Sequence, residues 1–267
     1  MPSVRSLLKL VIPQSLIMAR RERIREHRVL AAQAREAELR HQLEQSLCVS
    51  QAGQDLWVYG SVFNEKRNGF FLDVGAHDGI YLSNTFILET RYGWNGILIE
   101  GNPETFELLK SNRSGICANA CVSSKQETVQ FRSSSTFGGI IAPDCDNNEQ
   151  SDPSTIFELE TVTLESILSR MGAPRLIDYL SIDIEGAEDR ALLDFPFQKY
   201  RFTCITIERP SAALRSVFQG HGYRLVAEIP GLDSFYIHES HVQEYFDNTL
   251  AFYRNQLSFS KITERSK

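Results

Sequence analysis

The sequence has few cysteines and no long apolar run, and each absence narrows what the protein can be. The five cysteines are scattered and include no C-x-x-C pair, which excludes a disulfide scaffold, a zinc knuckle and a dithiol redox motif. An odd number of cysteines, several of them within apolar runs, indicates a reducing compartment, so we expect a cytoplasmic protein. No stretch of about 18 apolar residues occurs, and the sequence therefore predicts no membrane-spanning helix.

An excess of basic residues is also lacking. The 267 residues include 28 Lys and Arg against 34 Asp and Glu, which gives a net charge of −6. A nucleic-acid-binding protein needs a basic surface that neutralises phosphates, so we expect no nucleic-acid partner. The hydrophobic fraction of 42% is ordinary for a globular protein, and the length suits one full α/β domain.

The beginning of the chain differs in composition from the rest. Residues 15–47 contain neither Gly nor Pro, so we expect an N-terminal helical extension over residues 1–49 and one domain over residues 50–267. Basic residues beside an apolar stretch in residues 1–28 are typical of a helix that lies on an anionic membrane, here the inner face. The apolar positions between Val29 and Leu47 favour a dimerisation helix instead, so a peripheral membrane contact and a homo-oligomer are both open. The stretch lacks the features of a cleaved signal peptide.

From residue 69 onward, short apolar runs alternate with helical patterns. This alternation predicts an α/β fold with a mostly parallel sheet and helices on both faces. Residues 133–155 are polar and aperiodic, which is typical of a long binding loop. Within this loop, the segment Ser133–Gly139 is a candidate for substrate binding, and Phe137 offers an apolar face there. The runs predicted as strands are Gly69–Gly75, Asn95–Glu100, Ile116–Val122, Thr128–Arg132, Ile177–Ile184, Phe202–Glu208 and the hairpin Tyr223–Ile229 with Ser234–Ile237.

The turn after the first strand discriminates between nucleotide ligands. Ligands of such sheets bind beyond the carboxyl ends of the strands, where Asp73–Gly79 reads DVGAHDG. A dinucleotide fingerprint anchored on Gly75 needs glycines at positions 77 and 80, which hold His77 and Ile80. The acidic side chains of this turn also oppose a phosphate, whereas S-adenosylmethionine carries no phosphate and is cationic. The turn therefore favours S-adenosylmethionine, and an NAD-dependent oxidoreductase is the lesser alternative.

An acid at the end of the second predicted strand supports this interpretation. Glu100 closes that strand, and a carboxylate there can accept hydrogen bonds from both ribose hydroxyls. A solvated acid at a strand end is the alternative. Because Glu100 occurs together with the Asp73–Gly79 turn at this spacing, we favour the ribose contact.

Five separate motifs resemble the FkbM-type methyltransferase family, in collinear order over about residues 50–238. The resemblance implies a class I methyltransferase, with a Rossmann-like seven-stranded sheet and S-adenosylmethionine as methyl donor. Members usually methylate hydroxyl oxygens, often on sugars of glycans or glycosylated metabolites. His77 departs from the pattern, where a small amide is expected. The motifs are SQAGQD (Ser50–Asp55), FLDVGAHDG (Phe71–Gly79), SNT (Ser83–Thr85), GWNGILIEGNP (Gly93–Pro103) and SIDIEGAE (Ser181–Glu188).

The strand ends and the resemblance together predict the donor-binding residues. They lie in the first turn, at the ends of the next strands and just before the first strand. The predicted donor-binding residues are Gln51, Asp73, Gly75, Ala76, His77, Gly79, Ser83, Asn84, Glu100, Gly101, Asn119, Ala120 and Asp183.

Methyl transfer to a hydroxyl needs alignment of the reacting atoms and removal of a proton. Asp183, Glu208 and His77 are the candidate catalytic groups, as bases at strand ends or in the first turn. Asp183 and Glu208 are also candidate ligands of a divalent metal such as Mg²⁺ or Mn²⁺, because both offer hard oxygen atoms. A metal-free mechanism, in which one of these groups acts as the base, is favoured over a metal-assisted one. A silent module that binds the donor without turnover is the alternative function.

Overall fold

The computed structural model describes residues 48–133, 138–147 and 156–249, all within the unit that spans Leu47–Lys267. The predictions for residues 1–47, and for Phe137 in the long loop, lie outside the described residues. Across the described ranges, no helix has the length and apolar character needed to span a membrane.

A seven-stranded sheet forms the centre of the domain, in the order β10-β11-β9-β8-β1-β2-β3. Neighbours are parallel from β9 through β8, β1 and β2 to β3, and only β11 runs against its neighbours β9 and β10. The predicted mostly parallel sheet is therefore confirmed, hairpin included. Its strands are β1 (Phe70–Val74), β2 (Asn95–Glu100), β3 (Ile116–Asn119), β8 (Leu176–Ile182), β9 (Arg201–Glu208), β10 (Tyr223–Glu228) and β11 (Asp233–His238).

Helices cover both faces of this sheet, because side chains along a strand alternate in direction. The helices are α1 (Gln54–Leu56), α2 (Phe86–Tyr92), α3 (Pro103–Asn112), α4 (Leu164–Arg170), α5 (Glu188–Leu192) and α6 (Ala212–Gly220), with a π-helical turn at Trp57–Val62. On β1, Leu72 and Val74 join a core cluster to which α4, α5 and α6 contribute. Phe71 joins a second cluster with the π-helical turn, α2 and α3. Each such buried side chain contributes roughly 1.5–3 kcal/mol to folding.

Local capping explains where the helices near the site begin. Asn102 caps α3 by accepting the Glu104 N–H at 3.0 Å, with Pro103 at the first helical position, as the sequence predicts. The sequence pattern predicts a helix over Ser83–Tyr92 with Ser83 or Asn84 as its N-cap, but this start is wrong, because α2 begins at Phe86 and its N-cap is Thr85. The Ser83 hydroxyl accepts the N–H groups of Thr85 and Phe86 at 3.3 and 3.2 Å, which holds residues 83–85 in a turn before the helix.

A second, four-stranded sheet in the order β4-β7-β5-β6 lies outside the sequence prediction. The predicted strand Ile116–Val122 divides at Ala120, because its last residues pair with β7 instead of β2. Strand β7 is missed altogether, although Phe157 and Leu159 alternate with charged residues at the period of a strand. The four strands are β4 (Cys121–Val122), β5 (Thr128–Arg132), β6 (Gly139–Ile140) and β7 (Ile156–Val162).

Candidate active site

A cavity of about 610 Å³ lies at the carboxyl ends of β1, β2, β8 and β9. This volume is within the usual range of small-molecule sites. Most of the predicted donor-binding residues line it, namely Gln51, Asp73, Gly75, Ala76, His77, Ser83, Asn84, Glu100, Gly101, Ala120 and Asp183. The cavity also contains Glu208, so all three candidate catalytic residues are brought together with the donor-binding set.

Gly75 lets the turn after β1 pass close to the backbone at the ends of β2 and β8. Its φ of +89° is left-handed, and a Cβ at this position would lie 1.8 Å from the carbonyl oxygen of Asp183. The N–H groups of Gly75 and Ala76 both donate to the Ile99 carbonyl, at 2.9 and 3.0 Å. Only glycine fits this crossing, which brings the end of β1 against the ends of β2 and β8.

Asp73, the last polar residue of β1, is buried in the wall of the cavity. Its carboxylate accepts a hydrogen bond from the Thr85 hydroxyl at 2.6 Å. Burial raises the pKa of Asp73, while the hydrogen bond from Thr85 and the positive charge of Arg113 act to lower it. The motif acid is therefore a positioned group, held by a side chain from the start of α2.

Glu100 is buried at the end of β2 with both carboxylate oxygens engaged by backbone. Oε2 accepts the His77 N–H at 2.9 Å and Oε1 accepts the Asn102 N–H at 2.7 Å. Burial raises the pKa of Glu100, and these two hydrogen bonds oppose the rise. Each oxygen keeps a further lone pair, so the carboxylate can still accept two hydroxyl protons from a ligand.

Asn84 lines the cavity and has a buried acceptor atom. Its amide nitrogen donates to the Ser181 hydroxyl at 3.0 Å, and its Oδ1 is buried without a hydrogen-bond partner among the described residues. A buried acceptor of this kind costs free energy until a donor reaches it. Ser181 was not among the predicted site residues, although it begins the SIDIEGAE motif at the end of β8.

Carboxylates concentrate at the ends of β8 and β9, on the other side of the cavity. Burial raises the pKa of Asp183 well above the usual aspartate range, and the charges of Glu208 and Glu185 raise it further. Burial, followed by the charge of Glu208, raises the pKa of Glu185 to about 7. Burial raises the pKa of Glu188 to about 7 although Oε1 of Glu188 accepts the Ile184 N–H at 2.8 Å. The carboxyl groups of Asp183, Glu185 and Glu188 therefore ionise less readily than exposed carboxyl groups do.

Asp183 and Glu208 differ in their partners. Arg209 donates to Glu208 at 2.9 Å and also pairs with Asp146, so the Glu208 charge is compensated. Within the described ranges, nothing donates a hydrogen bond to the Asp183 carboxylate. Asp183 is therefore the better placed of the two to take a proton.

The two predicted metal ligands, Asp183 and Glu208, lie close together, although acidic clusters of this kind are common without a metal ion. Oxygen atoms of Asp183, Glu188 and Glu208 lie within 4.8 Å of one another, as do those of Asp146, Glu185 and Glu208. Carboxylates at such distances can hold a hard divalent cation. The Arg209 guanidinium beside Glu208 opposes a cation there, so the geometry alone does not favour metal over proton transfer.

His77 contributes to the site chiefly through its backbone. Its φ of +49° is left-handed, and its N–H is the group that binds Glu100. The ring faces Asp78, with Nδ1 at 3.6 Å from Oδ1 of that side chain. Asp78 itself accepts the N–H groups of Ile80 and Tyr81, both at 2.8 Å, and so caps the turn. A role for the His77 ring as base stays a prediction.

Two predicted donor-binding residues lie outside the cavity lining. A Cβ on Gly79 would meet the Cγ of Arg113 at 2.6 Å and the Cδ1 of Leu109 at 2.7 Å, so Gly79 is a packing position. The Asn119 amide donates to the carbonyl groups of Glu100 and Gly101, at 2.9 and 3.3 Å, and supports the backbone behind the site.

The second sheet adds an apolar wall that the sequence did not indicate. Phe131 of β5, Ile140 of β6 and Cys121 of β4 are buried together and line the cavity. Phe131 could have been singled out by the alternation in TVQFR, but its direction depends on the pairing of β5 with β6 and β7. The neighbouring cavity residues Asn102 and Thr105 belong to the start of α3.

Comparison with solved structures finds distant similarity to methyltransferases. The METTL16 MTase domain is 13% identical with a TM-score of 0.41, covering 69% of this chain and 65% of that one. An FkbM methyltransferase from Methylobacillus flagellatus KT is also 13% identical with a TM-score of 0.41, covering 68% of this chain and 47% of that one. This chain thus spans less than two thirds of the length of either structure.

The precorrin-6y C5,15-methyltransferase from Geobacter metallireducens GS-15 is 11% identical with a TM-score of 0.36, over 72% of this chain and 90% of that one. No curated protein sequence is significantly similar to the chain. The family model of the methyltransferase FkbM domain matches residues 73–225, which is more than half of the chain and runs from the first motif acid to β10. The chain belongs to the FkbM methyltransferase family.

Proposed function

We propose that the protein transfers a methyl group from S-adenosylmethionine to a hydroxyl group of a sugar, in a glycan or a glycosylated metabolite. The observation that carries the proposal is Asp183, a carboxylate of raised pKa that has no hydrogen-bond partner among the described residues and lines the same cavity as the predicted donor-binding residues. Hydroxyl methylation needs a base of this kind, because the acceptor proton must be removed as the new bond forms.

The polar groups that line the cavity around Glu100 and Asn84 match the polar groups of S-adenosylmethionine. Glu100 retains two lone pairs for the ribose hydroxyls after binding the His77 and Asn102 N–H groups. Oδ1 of Asn84 is buried without a hydrogen-bond partner among the described residues, and a small rotation of this side chain would let it accept from the ammonium group of the donor. Acidic side chains outnumber the single arginine, Arg209, in the lining, and a cationic ligand would favour their ionised form. These acidic residues are Asp73, Glu100, Asp146, Asp183, Glu185 and Glu208. When bound, the sulfonium supplies an activated methyl group.

Asp183 takes the proton of the acceptor hydroxyl in this proposal. The acceptor oxygen forms its bond to the methyl carbon as the carbon–sulfur bond breaks, and the proton passes to the carboxylate. A raised pKa makes a carboxylate a stronger base at neutral pH, since efficient bases have pKa values near the working pH. Asp146 and Glu185, on the same side of the cavity, offer further acceptors for sugar hydroxyls.

A panel of sugar acceptors tests this function. Incubation with S-adenosylmethionine and free, nucleotide-linked and lipid-linked sugars should release the demethylated donor and add one methyl mass to an acceptor hydroxyl. A silent donor-binding module would bind S-adenosylmethionine but methylate nothing in the panel. Methylation of a nitrogen or carbon atom would contradict the assignment to hydroxyl groups. The family match already disfavours the NAD-dependent oxidoreductase.

Glu100→Ala is expected to weaken S-adenosylmethionine binding by on the order of 1.5–3 kcal/mol, because charge-assisted hydrogen bonds to the ribose are lost. Isothermal titration calorimetry measures the change, with NAD as a second titrant. Glu104→Ala, at an exposed position two residues into α3, is the matched control and should bind as the wild type does. Unchanged affinity in Glu100→Ala, or binding of NAD alone, would contradict the donor assignment.

The sequence of residues 1–49 supports two further proposals, a peripheral contact with an anionic membrane and a homo-oligomer. Basic residues beside an apolar stretch support the first, and the apolar positions after residue 28 support the second. Co-sedimentation of the full chain with anionic vesicles, compared with a full chain in which Arg20, Arg21 and Arg23 are changed to Glu, tests the membrane contact. Mass measurement in solution tests the oligomer. Soluble behaviour with vesicles, or a monomeric mass, would remove the respective proposal.

A further inference from the structure

Arg113 directly follows α3, and its side chain is completely buried between α2 and β1. The side chain is 0% exposed and pairs with Glu89 of α2, which is 8% exposed, at 2.9 Å. The guanidinium carbon also lies 5.5 and 5.8 Å from the ring centroids of Phe71 and Phe86. Burying an arginine is costly even when it is paired, so its remaining contacts should explain its position.

Those contacts all fall on the segment 79–85, which we call the donor turn. Nη1 of Arg113 donates to the Gly79 carbonyl at 3.0 Å and to the Ser83 hydroxyl at 3.3 Å. Nη2 donates to the Thr85 hydroxyl at 3.0 Å, and Thr85 in turn donates to Asp73 at 2.6 Å. One planar, fixed fork of donors thus reaches both ends of the donor turn and, through Thr85, the motif acid of β1.

The donor turn needs such a support. Leu82 has a φ of +53°, a left-handed conformation that costs free energy for a residue with a side chain. Ser83 and Asn84, which follow it directly, line the cavity. Gly79 has no Cβ, which leaves the room that the stem of Arg113 occupies. Gly79 therefore faces the stem of Arg113, which explains why it does not line the cavity.

We propose that Arg113 is a positioning residue for methyl-donor binding: its buried guanidinium, neutralised by Glu89, holds the donor turn and Asp73 in the arrangement that binds S-adenosylmethionine. The inference rests on the proposed donor site. Arg113 acts through Gly79, Ser83 and Thr85 and touches no reacting atom. A lysine at this position keeps the charge beside Glu89 but cannot reach the three acceptors with one fork.

A comparison of three variants by calorimetry with S-adenosylmethionine, at a temperature well below the Tm of each, tests the inference. Glu89→Gln leaves the contacts of Arg113 to the donor turn, so we expect a lower Tm and a near wild-type Kd. Glu89→Gln with Arg113→Met removes both buried charges and the contacts to the donor turn, so we expect a Kd at least about tenfold higher without an unpaired charge in the core. Arg113→Lys should retain the fold and give an intermediate Kd. Arg215→Met, at a remote arginine paired with Glu228, should bind as the wild type does.

The outcomes separate positioning from general stability. The inference is supported if Kd rises in the variants that lack Arg113 but stays near the wild-type value in Glu89→Gln, in which only Tm falls. A wild-type Kd in the double variant, or a Kd that follows Tm across all variants, overturns it. Should the double variant fail to fold, Arg113→Lys decides, and an unchanged Kd there overturns the inference. A wild-type protein that does not bind S-adenosylmethionine at all would refute the donor assignment itself, which is a distinct result.

Discussion

Replacing Asp183 by Asn should lower kcat for methyl transfer by about 10²- to 10⁴-fold, the usual contribution of a positioned base. The amide keeps the shape of the side chain but cannot take the acceptor proton. Donor affinity should change less than kcat, because Asp183 lies with Glu185 and Glu208 after the ends of β8 and β9, whereas Glu100, the predicted ribose ligand, lies at the end of β2. Steady-state kinetics with the acceptor found in the sugar panel, and calorimetry with the donor, measure the two effects.

The pH dependence follows from the same carboxylate. A base must be deprotonated to act, so kcat/KM should fall as the pH drops through the pKa of Asp183. Burial and the charge of Glu208 raise this pKa well above the aspartate range, so the fall should occur at a higher pH than an ordinary aspartate gives. Asp183→Asn should lose this limb, and Asp247→Asn, at an exposed position, should retain it. Full activity of Asp183→Asn with an unchanged profile would leave Glu208 or His77 as the base.

A chelator distinguishes the base from a metal ligand, since both roles predict a loss in Asp183→Asn. Activity that survives the chelator supports proton transfer to Asp183. Activity that is abolished by the chelator and restored by Mg²⁺ or Mn²⁺ would assign Asp183 and Glu208 to a metal site.

Gly75→Ala should have the largest effect on the donor site as a whole. The added Cβ would lie 1.8 Å from the Asp183 carbonyl oxygen, and the φ of +89° is unfavourable for alanine. The ends of β1 and β8 must separate, so we expect a loss of stability of at least about 2 kcal/mol and a Kd for S-adenosylmethionine raised by about a hundredfold or more. Thermal unfolding and calorimetry check the two effects.

Gly172→Ala is the matched control, because it separates backbone strain from the clash. Gly172 also has a left-handed φ, of +67°, but nothing lies within 4 Å of its Cβ position. A modest loss of about 1 kcal/mol in stability and a wild-type donor affinity are expected there. A Gly75→Ala protein that behaves like Gly172→Ala would show that the close crossing at Asp183 is not required for donor binding.

Much of the cavity lining could be predicted from the sequence, because the positions of these residues follow local rules. The alternation of apolar runs with helical patterns predicted the parallel sheet, and strand ends in such sheets gather at one edge. Asp73, Gly75 and Glu100 follow from that rule alone. Asn102 and Pro103 likewise mark the start of α3 by capping, a short-range interaction. Positions of this kind depend on neighbours a few residues away.

Only the tertiary structure shows how the acidic residues of the cavity are paired and which other side chains reach the cavity. Asp183 and Glu208 are equivalent in the sequence, but Arg209 pairs with Glu208, whereas no described residue donates a hydrogen bond to the Asp183 carboxylate. This difference depends on how the ends of β8 and β9 meet. The path of Phe131 into the cavity required the second sheet, whose strand β7 pairs with β5 across the long loop.

Arg113 shows most clearly what a sequence alone leaves open. It lies 34 residues from the Gly79 carbonyl that it binds, in a run with no motif of its own. The Asp73–Gly79 pattern predicted a donor-binding site at the end of β1, directly before the donor turn. Its support by Arg113 and Glu89 was decided only when α2 and α3 packed on the same face of the sheet, because contacts between distant segments depend on packing and leave no local period in the chain.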